Sequence, residues 1–196
     1  MKKILFLFLA ACFFFSCEKE TIVIPQQHAG RTVLAFFWAD NSLNSSLRNN
    51  IQTMMQGLQA MKDSAALLVY WDGEASDISW PEPCIVEYVT NGQGGINSLS
   101  KGTIDAMMAD KNTSIYDLIG IGNIRKKYPP QTSTEKTVMQ TVIGDMMSAY
   151  PSESYGIIFG SHGSGWLPTI TGTRSIGQDG GRYSSDTALI PVSYTH

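Results

Sequence analysis

The segment YGIIFGSHGSGW, residues 155–166, is an apolar run that ends abruptly at His162, with glycines on both sides of the histidine. Three consecutive apolar residues, Ile157 to Phe159, predict a strand buried on both faces, as in parallel sheets that are covered by helices. In open α/β sheets the chemistry lies just beyond the carboxyl ends of the strands, which is where His162 falls. The segment therefore predicts an α/β fold with His162 as a candidate catalytic residue, although a loop histidine that only caps a strand has the same pattern.

Other apolar patterns predict strands and helices in alternation. Strands are expected at 32–38 and 65–71, the second buried on both faces, and an amphipathic helix is expected from Leu43 to Met61. Cys84 to Val89 is expected to be a third, more exposed strand. A second long helix is expected to end at Ala149 and to begin with the capping box Thr132-Ser133-Thr134-Glu135.

The order of these elements predicts a mainly parallel sheet with right-handed crossovers. Two short segments are predicted to be turns: Asp72-Gly73, which would end the second strand, and the cationic cluster Arg125-Lys126-Lys127, which would be solvated. The 196 residues are 43% apolar and only 16% charged, a composition with enough apolar material for a packed core. The net charge of −3 implies no basic surface, so we expect no nucleic-acid partner.

A second segment, RTVLAFFWADNSL at residues 31–43, reads as a strand that runs into an Asp-Asn turn and a helix. Together the two segments resemble the clostripain family of cysteine peptidases, which share the caspase-like fold. The family's opening turn and its histidine motif, His-Gly-x-Gly-Trp, are matched here by Ala39, Asp40, Asn41 and Leu43, and by His162, Gly163, Gly165 and Trp166. The resemblance extends from about Arg31 to about Asp186.

The resemblance implies an α/β fold, a caspase-like three-layer sandwich with a mainly parallel sheet. It implies that His162 is the catalytic acid/base, which protonates the leaving amine. The backbone amide of Gly163 would be a donor to the developing oxyanion. The implied partner is a peptide or protein substrate, cleaved after Arg or Lys. We expect no cofactor, and no metal, because a single histidine without a second ligand at metal spacing is not a metal motif.

The family's nucleophile lies in an Asp-Ala-Cys motif at the end of the next core strand, and this sequence has no cysteine after Cys84. The acidic residue of that motif, which in the family helps to bind a basic substrate side chain, is absent as well. The last five residues, 192–196, can be back-translated as GTC TCT TAT ACA CAT, which looks like a transposon end used to prepare sequencing libraries. We therefore expect 31–191 to be a partial, C-terminally truncated peptidase domain, inactive by itself, with a sequencing-adapter-derived tail at 192–196.

The N-terminus has the pattern of an export signal. A positive start is followed by an apolar run from Ile4 to Phe15, too short for a transmembrane helix, and then by polar sequence. This resembles a bacterial lipoprotein signal over residues 1–16, with Cys17 as the lipidated residue and 17–30 as a tether. The predicted location is the cell envelope, with the chain anchored to a bacterial membrane through its lipid.

Four alternatives stay open at this point. Cys12 fits the lipobox better residue by residue, but cleavage there would leave Phe13 to Phe15 exposed at the membrane surface; an ordinary signal peptide is also compatible. The chain could be a non-catalytic, surface-exposed binding lipoprotein, or a fragment without independent function. A serine hydrolase does not fit, because the glycines beside Ser164 are adjacent to it instead of two residues away.

Overall fold

The computed structural model describes residues 29–73, 82–110, 113–162, 177–179 and 182–183. Over these ranges the chain forms strands and helices in the order β1 (Ala29–Ala39), α1 (Asn44–Ala60), β2 (Ala65–Gly73), β3 (Cys84–Val89), α2 (Lys101–Ala109), α3 (Ile115–Ile121), β4 (Asn123–Lys127), α4 (Lys136–Ala149), β5 (Ser152–Gly160), β6 (Gln178–Asp179) and β7 (Arg182–Tyr183). None of the described helices combines the length and the apolar character that a membrane crossing needs.

Within the described ranges the main sheet has five strands in the order β4-β3-β2-β1-β5, while β6 and β7 form a separate pair. β1 pairs in parallel with β2 and with β5, whereas β3 is antiparallel to both β2 and β4. Four strands therefore run in one direction and only β3 is reversed, which confirms the predicted mainly parallel sheet. The reversal of β3 follows from its connection, because the ten residues 74–83 are too few for the crossover that a parallel neighbour requires.

Helices cover both faces of this sheet and make a three-layer sandwich. α1, α2 and α3 pack on one face, where Phe37 of β1 and Trp71 of β2 point into the core. α4 packs on the other face, against Phe36 and Trp38 of β1 and Tyr70 of β2. Successive residues of β1 and β2 alternate between the two cores, so both strands are buried on both sides, as predicted for β2.

The predicted first helix is confirmed. α1 buries a stripe at spacings of three and four, namely Leu47, Ile51, Met55 and Leu58. The outlying Met61, which the sequence placed on the same stripe, follows the helix and is exposed. Each buried side chain of this stripe contributes about 1.5–3 kcal/mol, which holds α1 against the sheet.

The prediction that residues 157–159 are buried on both faces is wrong. Among the described strands β5 is the edge of the sheet and pairs with β1 alone, and Ile157 and Ile158 are 38% and 43% exposed. Only Phe159 packs inward, with its ring 5.6 Å from that of Trp38. An uninterrupted apolar run indicates a strand, but the number of its neighbours in the sheet decides how much of it is buried.

The opposite error occurs at β3, which was expected to be more exposed. Cys84 through Tyr88 are buried because β3 has a strand on each side and helices over both faces. Its outer neighbour β4 includes the cationic cluster 125–127, which was predicted to be a turn and is an exposed edge strand. There Arg125 Nε lies 2.8 Å from the carboxylate of the buried Glu87, so one cation of the cluster neutralises a core charge.

Two other local predictions are wrong. β2 does not turn at Asp72 but continues through Gly73, and the buried Asp72 carboxylate accepts a hydrogen bond from the Ser133 hydroxyl. Residues 132–135 form a turn and not a capping box, and the Glu135 N–H donates to the backbone carbonyl of Thr132 at 3.1 Å. α4 starts after Glu135, which makes no side-chain cap. The capping box that does form is at α3, between Ser114 and Asp117, where no helix was predicted.

Candidate active site

The carboxyl ends of β1 and β5 lie side by side at one edge of the sheet. The last pair of their ladder is Phe37 with Gly160, and β1 continues to Ala39. Ser161 and His162 therefore leave β5 next to the loop that connects β1 to α1. This is the position at which α/β sheets place their ligands and catalytic groups.

Two side-chain contacts connect these neighbouring loops. The hydroxyl oxygen of Ser42 lies 2.9 Å from Nε2 of His162. One residue earlier in both loops, Asn41 Nδ2 donates a hydrogen bond of 3.3 Å to Oγ of Ser161. The side chains thus continue the pairing of β1 with β5 beyond the last backbone pair, and they hold the histidine loop against the β1–α1 turn.

Asn41 also builds the turn in which Ser42 sits. Its Oδ1 accepts a hydrogen bond of 2.9 Å from the backbone N–H of Leu43, an Asx turn, and its Nδ2 donates to the carbonyl of Trp38 at 2.6 Å. Asn44 Nδ2 donates to the carbonyl of Ala39 at 3.2 Å. These three hydrogen bonds connect the turn to the end of β1 and to the residue that precedes α1, independently of the contact with His162.

Side chains are closely packed on both faces of the sheet at the end of β5, just before the histidine. Trp38 is fully buried and stacks on Phe159, with an interplanar angle of 24°. A Cβ atom at Gly160 would lie 2.5 Å from the ring of Phe37 and 2.7 Å from Leu47. Glycine is therefore required at the last residue of β5 because neighbouring side chains fill the space, not because of its backbone conformation.

The structure brings together His162, Ser42 and Asn41, of which only His162 and Asn41 were identified from the sequence. His162 is partly buried, with one ring nitrogen turned to Ser42, and an imidazole so placed can accept and donate a proton. Gly163, the predicted oxyanion donor, and Gly165, Trp166 and Cys17 lie outside the described residues.

Cys84 lies far from the histidine. It is fully buried in β3, opposite Trp71 of β2, and three inter-strand steps separate β3 from β5. At about 4.8 Å per step, the strands that carry Cys84 and His162 are about 14 Å apart. The thiol of Cys84 is therefore not placed to act with His162.

Asp72 is a second polar group near this edge, on the α4 side of β2. It accepts hydrogen bonds from Ser133 and, at 3.5 Å, from the hydroxyl of Tyr70, which in turn accepts one of 2.9 Å from Gln131. This network anchors the segment before α4 to the sheet. Within the described ranges, no three His, Cys, Asp or Glu side chains lie together in a way that could hold a metal ion.

Comparison with known proteins identifies relatives of this architecture. The sequence profile of the clostripain family matches residues 35–189. A cysteine protease from B. fragilis is 27% identical with a TM-score of 0.50, over 72% of this chain and 95% of that one. A secreted cysteine protease from Bacteroides thetaiotaomicron, solved with an irreversible peptide inhibitor, is 24% identical with a TM-score of 0.52, over 81% of this chain and 36% of that one. These similarities agree with the predicted caspase-like sandwich, and no curated protein matches the chain.

Proposed function

The chain belongs to the clostripain family, and from that premise we propose that it is part of a cysteine peptidase in which His162 is the catalytic histidine. The observation that carries the proposal is the position of His162. It directly follows the end of β5, and its ring is held by the turn that follows β1. A core or capping histidine would not need a fixed ring nitrogen at the edge where α/β folds perform chemistry.

The proposed reaction is hydrolysis of a peptide bond through a thioester. A cysteine thiolate attacks the carbonyl carbon, the S–C bond forms, and the developing oxyanion accepts hydrogen bonds from backbone amides, of which we propose Gly163 N–H as one. His162 takes the thiol proton and delivers it to the leaving amine as the C–N bond breaks. Water then attacks the thioester, which releases the acid and restores the thiol.

The thiol itself must come from outside the described residues. No cysteine follows Cys84 in the sequence, and Cys84 is buried three strands from β5. We propose that a further strand, which carries the nucleophile, pairs with the edge of β5 that no described strand occupies, where Ile157 and Ile158 offer an apolar surface. This strand would end beside His162, since parallel neighbours end at one edge. Residues 1–196 by themselves are then inactive.

The test of this function compares the intact polypeptide, including the nucleophile strand, with residues 1–196. We expect the intact form to hydrolyse arginyl and lysyl amides, to ignore matched glutamyl amides, and to lose activity on thiol alkylation. Residues 1–196 should show no turnover. Thiol-dependent turnover by residues 1–196 that survives Cys84→Ala but not His162→Ala would contradict the need for an added strand. Saturable peptide binding without cleavage by the intact form would favour a binding lipoprotein.

We also propose that the chain is exported and anchored to a bacterial membrane through Cys17. The support is the change from apolar to charged sequence at Ser16-Cys17-Glu18. Metabolic labelling with a fatty acid should be lost in Cys17→Ala and retained in the matched control Cys12→Ala. The reverse result would move the mature start to Cys12, and labelling of neither form would indicate an ordinary signal peptide.

A further inference from the structure

Ser42 lies on a segment of backbone that is fixed independently of the histidine it contacts. The Asx turn of Asn41 closes around it, and α1, which packs on the sheet through Leu47 and Ile51, begins two residues after it. The contact from Ser42 Oγ to Nε2 of His162 joins residues 120 positions apart in the chain. A hydroxyl on a fixed turn therefore meets the imidazole of a different loop.

The orientation of a histidine ring is only weakly set by its own torsions. Rotation about the Cβ–Cγ bond has a broad, roughly two-fold preference, so a neighbour has to distinguish the two edges of the ring. In His162 the contact is at Nε2, the ring nitrogen farther from the backbone, where a small rotation moves the atom most. A half-turn of the ring would bring Cε1–H to Ser42 in place of Nε2 and lose the hydrogen bond. The contact therefore favours one ring orientation.

This preference does not depend on which ring nitrogen carries hydrogen. A serine hydroxyl both donates and accepts, so it donates to a bare Nε2 and accepts from an Nε2–H. It therefore fits either neutral tautomer, and it also accepts from the Nε2–H of the protonated ring. A carbonyl at the same place would only accept. The contact with Ser42 can thus persist while the imidazole gains and loses a proton.

We propose that Ser42 is a positioning residue, which restrains the imidazole of His162 in one orientation and so keeps the other ring nitrogen, Nδ1, at a fixed place during proton transfer. The inference rests on the proposed catalytic role of His162. Proton transfer needs the two heavy atoms within about 2.6–3.2 Å of each other, so a ring that turns away is unproductive. Ser42 is exposed, so removal of its hydroxyl removes the contact without opening a cavity in the core.

The first test is kinetic and uses the intact peptidase with a lysyl amide. We expect Ser42→Ala to lower kcat by about two- to tenfold, the worth of one neutral hydrogen bond, with little change in KM. Ser42→Thr keeps the hydroxyl and should keep kcat. Thermal unfolding of each variant gives its folded fraction, which separates a misoriented ring from lost enzyme.

The second test observes the ring itself in the full chain of 196 residues. Nuclear magnetic relaxation of histidine rings labelled with ¹³C reports their mobility, and His162→Gln assigns the signals among the three histidines. The order parameter of the His162 ring should fall in Ser42→Ala and be retained in Ser42→Thr. Because this measurement needs no catalysis, it tests the restraint separately from the peptidase function.

Ser45→Ala is the matched control, since Ser45 is an exposed serine in the first turn of α1, and it should alter neither kcat nor ring mobility. An unchanged order parameter or an unchanged kcat in Ser42→Ala would overturn the proposal, as would an equal effect of Ser45→Ala or a failure of threonine to preserve both quantities. If Ser42→Ala does not fold, Ser42→Cys replaces it, because a thiol is only a weak donor and acceptor.

These failures leave the proposed peptidase function standing, since that function is tested by the hydrolysis of amides by the wild type. Conversely, a wild type that hydrolyses no amide, with a His162 ring that loses its order in Ser42→Ala, would contradict the peptidase function and not the restraint.

Discussion

Replacement of His162 by glutamine is expected to lower kcat of the intact peptidase by about two to four orders of magnitude, with little change in KM. Glutamine can still hydrogen-bond to Ser42, but it cannot carry a proton from the thiol to the leaving amine. General acid/base catalysis of this kind contributes about 10²- to 10⁴-fold to a rate. Steady-state hydrolysis of a lysyl amide by wild type and His162→Gln measures the ratio.

His28→Gln is the control for this experiment, because His28 falls in the predicted tether and has no proposed catalytic role. Its kcat should equal that of the wild type. Thermal unfolding of both variants separates lost chemistry from lost structure. A His162→Gln enzyme that keeps kcat within a few-fold of wild type, while it remains folded, would show that another group transfers the proton.

The sequence predicts best the elements whose burial can be inferred from their own pattern of apolar residues. α1 has apolar residues at helical spacing, and its buried residues are those that the spacing indicated. β2 reads as a continuous apolar run and is buried on both faces, because it lies in the middle of the sheet. In both cases the faces that are buried are those that the apolar pattern predicts: one face of α1 and both faces of β2.

The sequence predicts a buried β5 and a more exposed β3, and the structure shows the reverse, because the burial of a strand depends on its place in the sheet. β5 contains an uninterrupted apolar run, Ile157 to Phe159, whereas Glu87 interrupts β3, yet among the described strands β5 is an edge and β3 has a neighbour on each side. Glu87 illustrates the difficulty: a charged residue in β3 suggests exposure, but Arg125 of the next strand neutralises it inside the core. No local pattern contains the identity of a neighbour that lies 38 residues away.

Only some residues of the candidate site could be predicted from the sequence. His162 stands out because an apolar strand ends at it among glycines, and Asn41 belongs to a turn motif with a known form. Ser42 occupies the variable position of that motif, so nothing marks it in the sequence. Its importance appears only when the pairing of β1 with β5 brings it to the imidazole.

A side chain at Gly160 is expected to destabilise the fold and to displace the histidine loop. In Gly160→Ala the new methyl group would meet Phe37 at 2.5 Å and Leu47 at 2.7 Å, and these side chains are only 1% and 3% exposed. Neither can move outward, so the end of β5 must shift. Overpacking of this kind costs about 1–3 kcal/mol. Urea unfolding of Gly160→Ala should show a lower midpoint at an unchanged slope.

Gly156→Ala is the matched control within the same strand. Gly156 also lies in β5, but a Cβ atom there has no heavy atom within 4 Å, so it meets open space. The substitution should leave the free energy of unfolding unchanged or raise it by about 0.4–1 kcal/mol, because alanine restricts the unfolded chain more than glycine does. Equal stabilities of the two variants would show that the contacts of Phe37 and Leu47 do not fix the end of β5. The support for His162 would then have to come from the loop contacts of Asn41 and Ser42 alone.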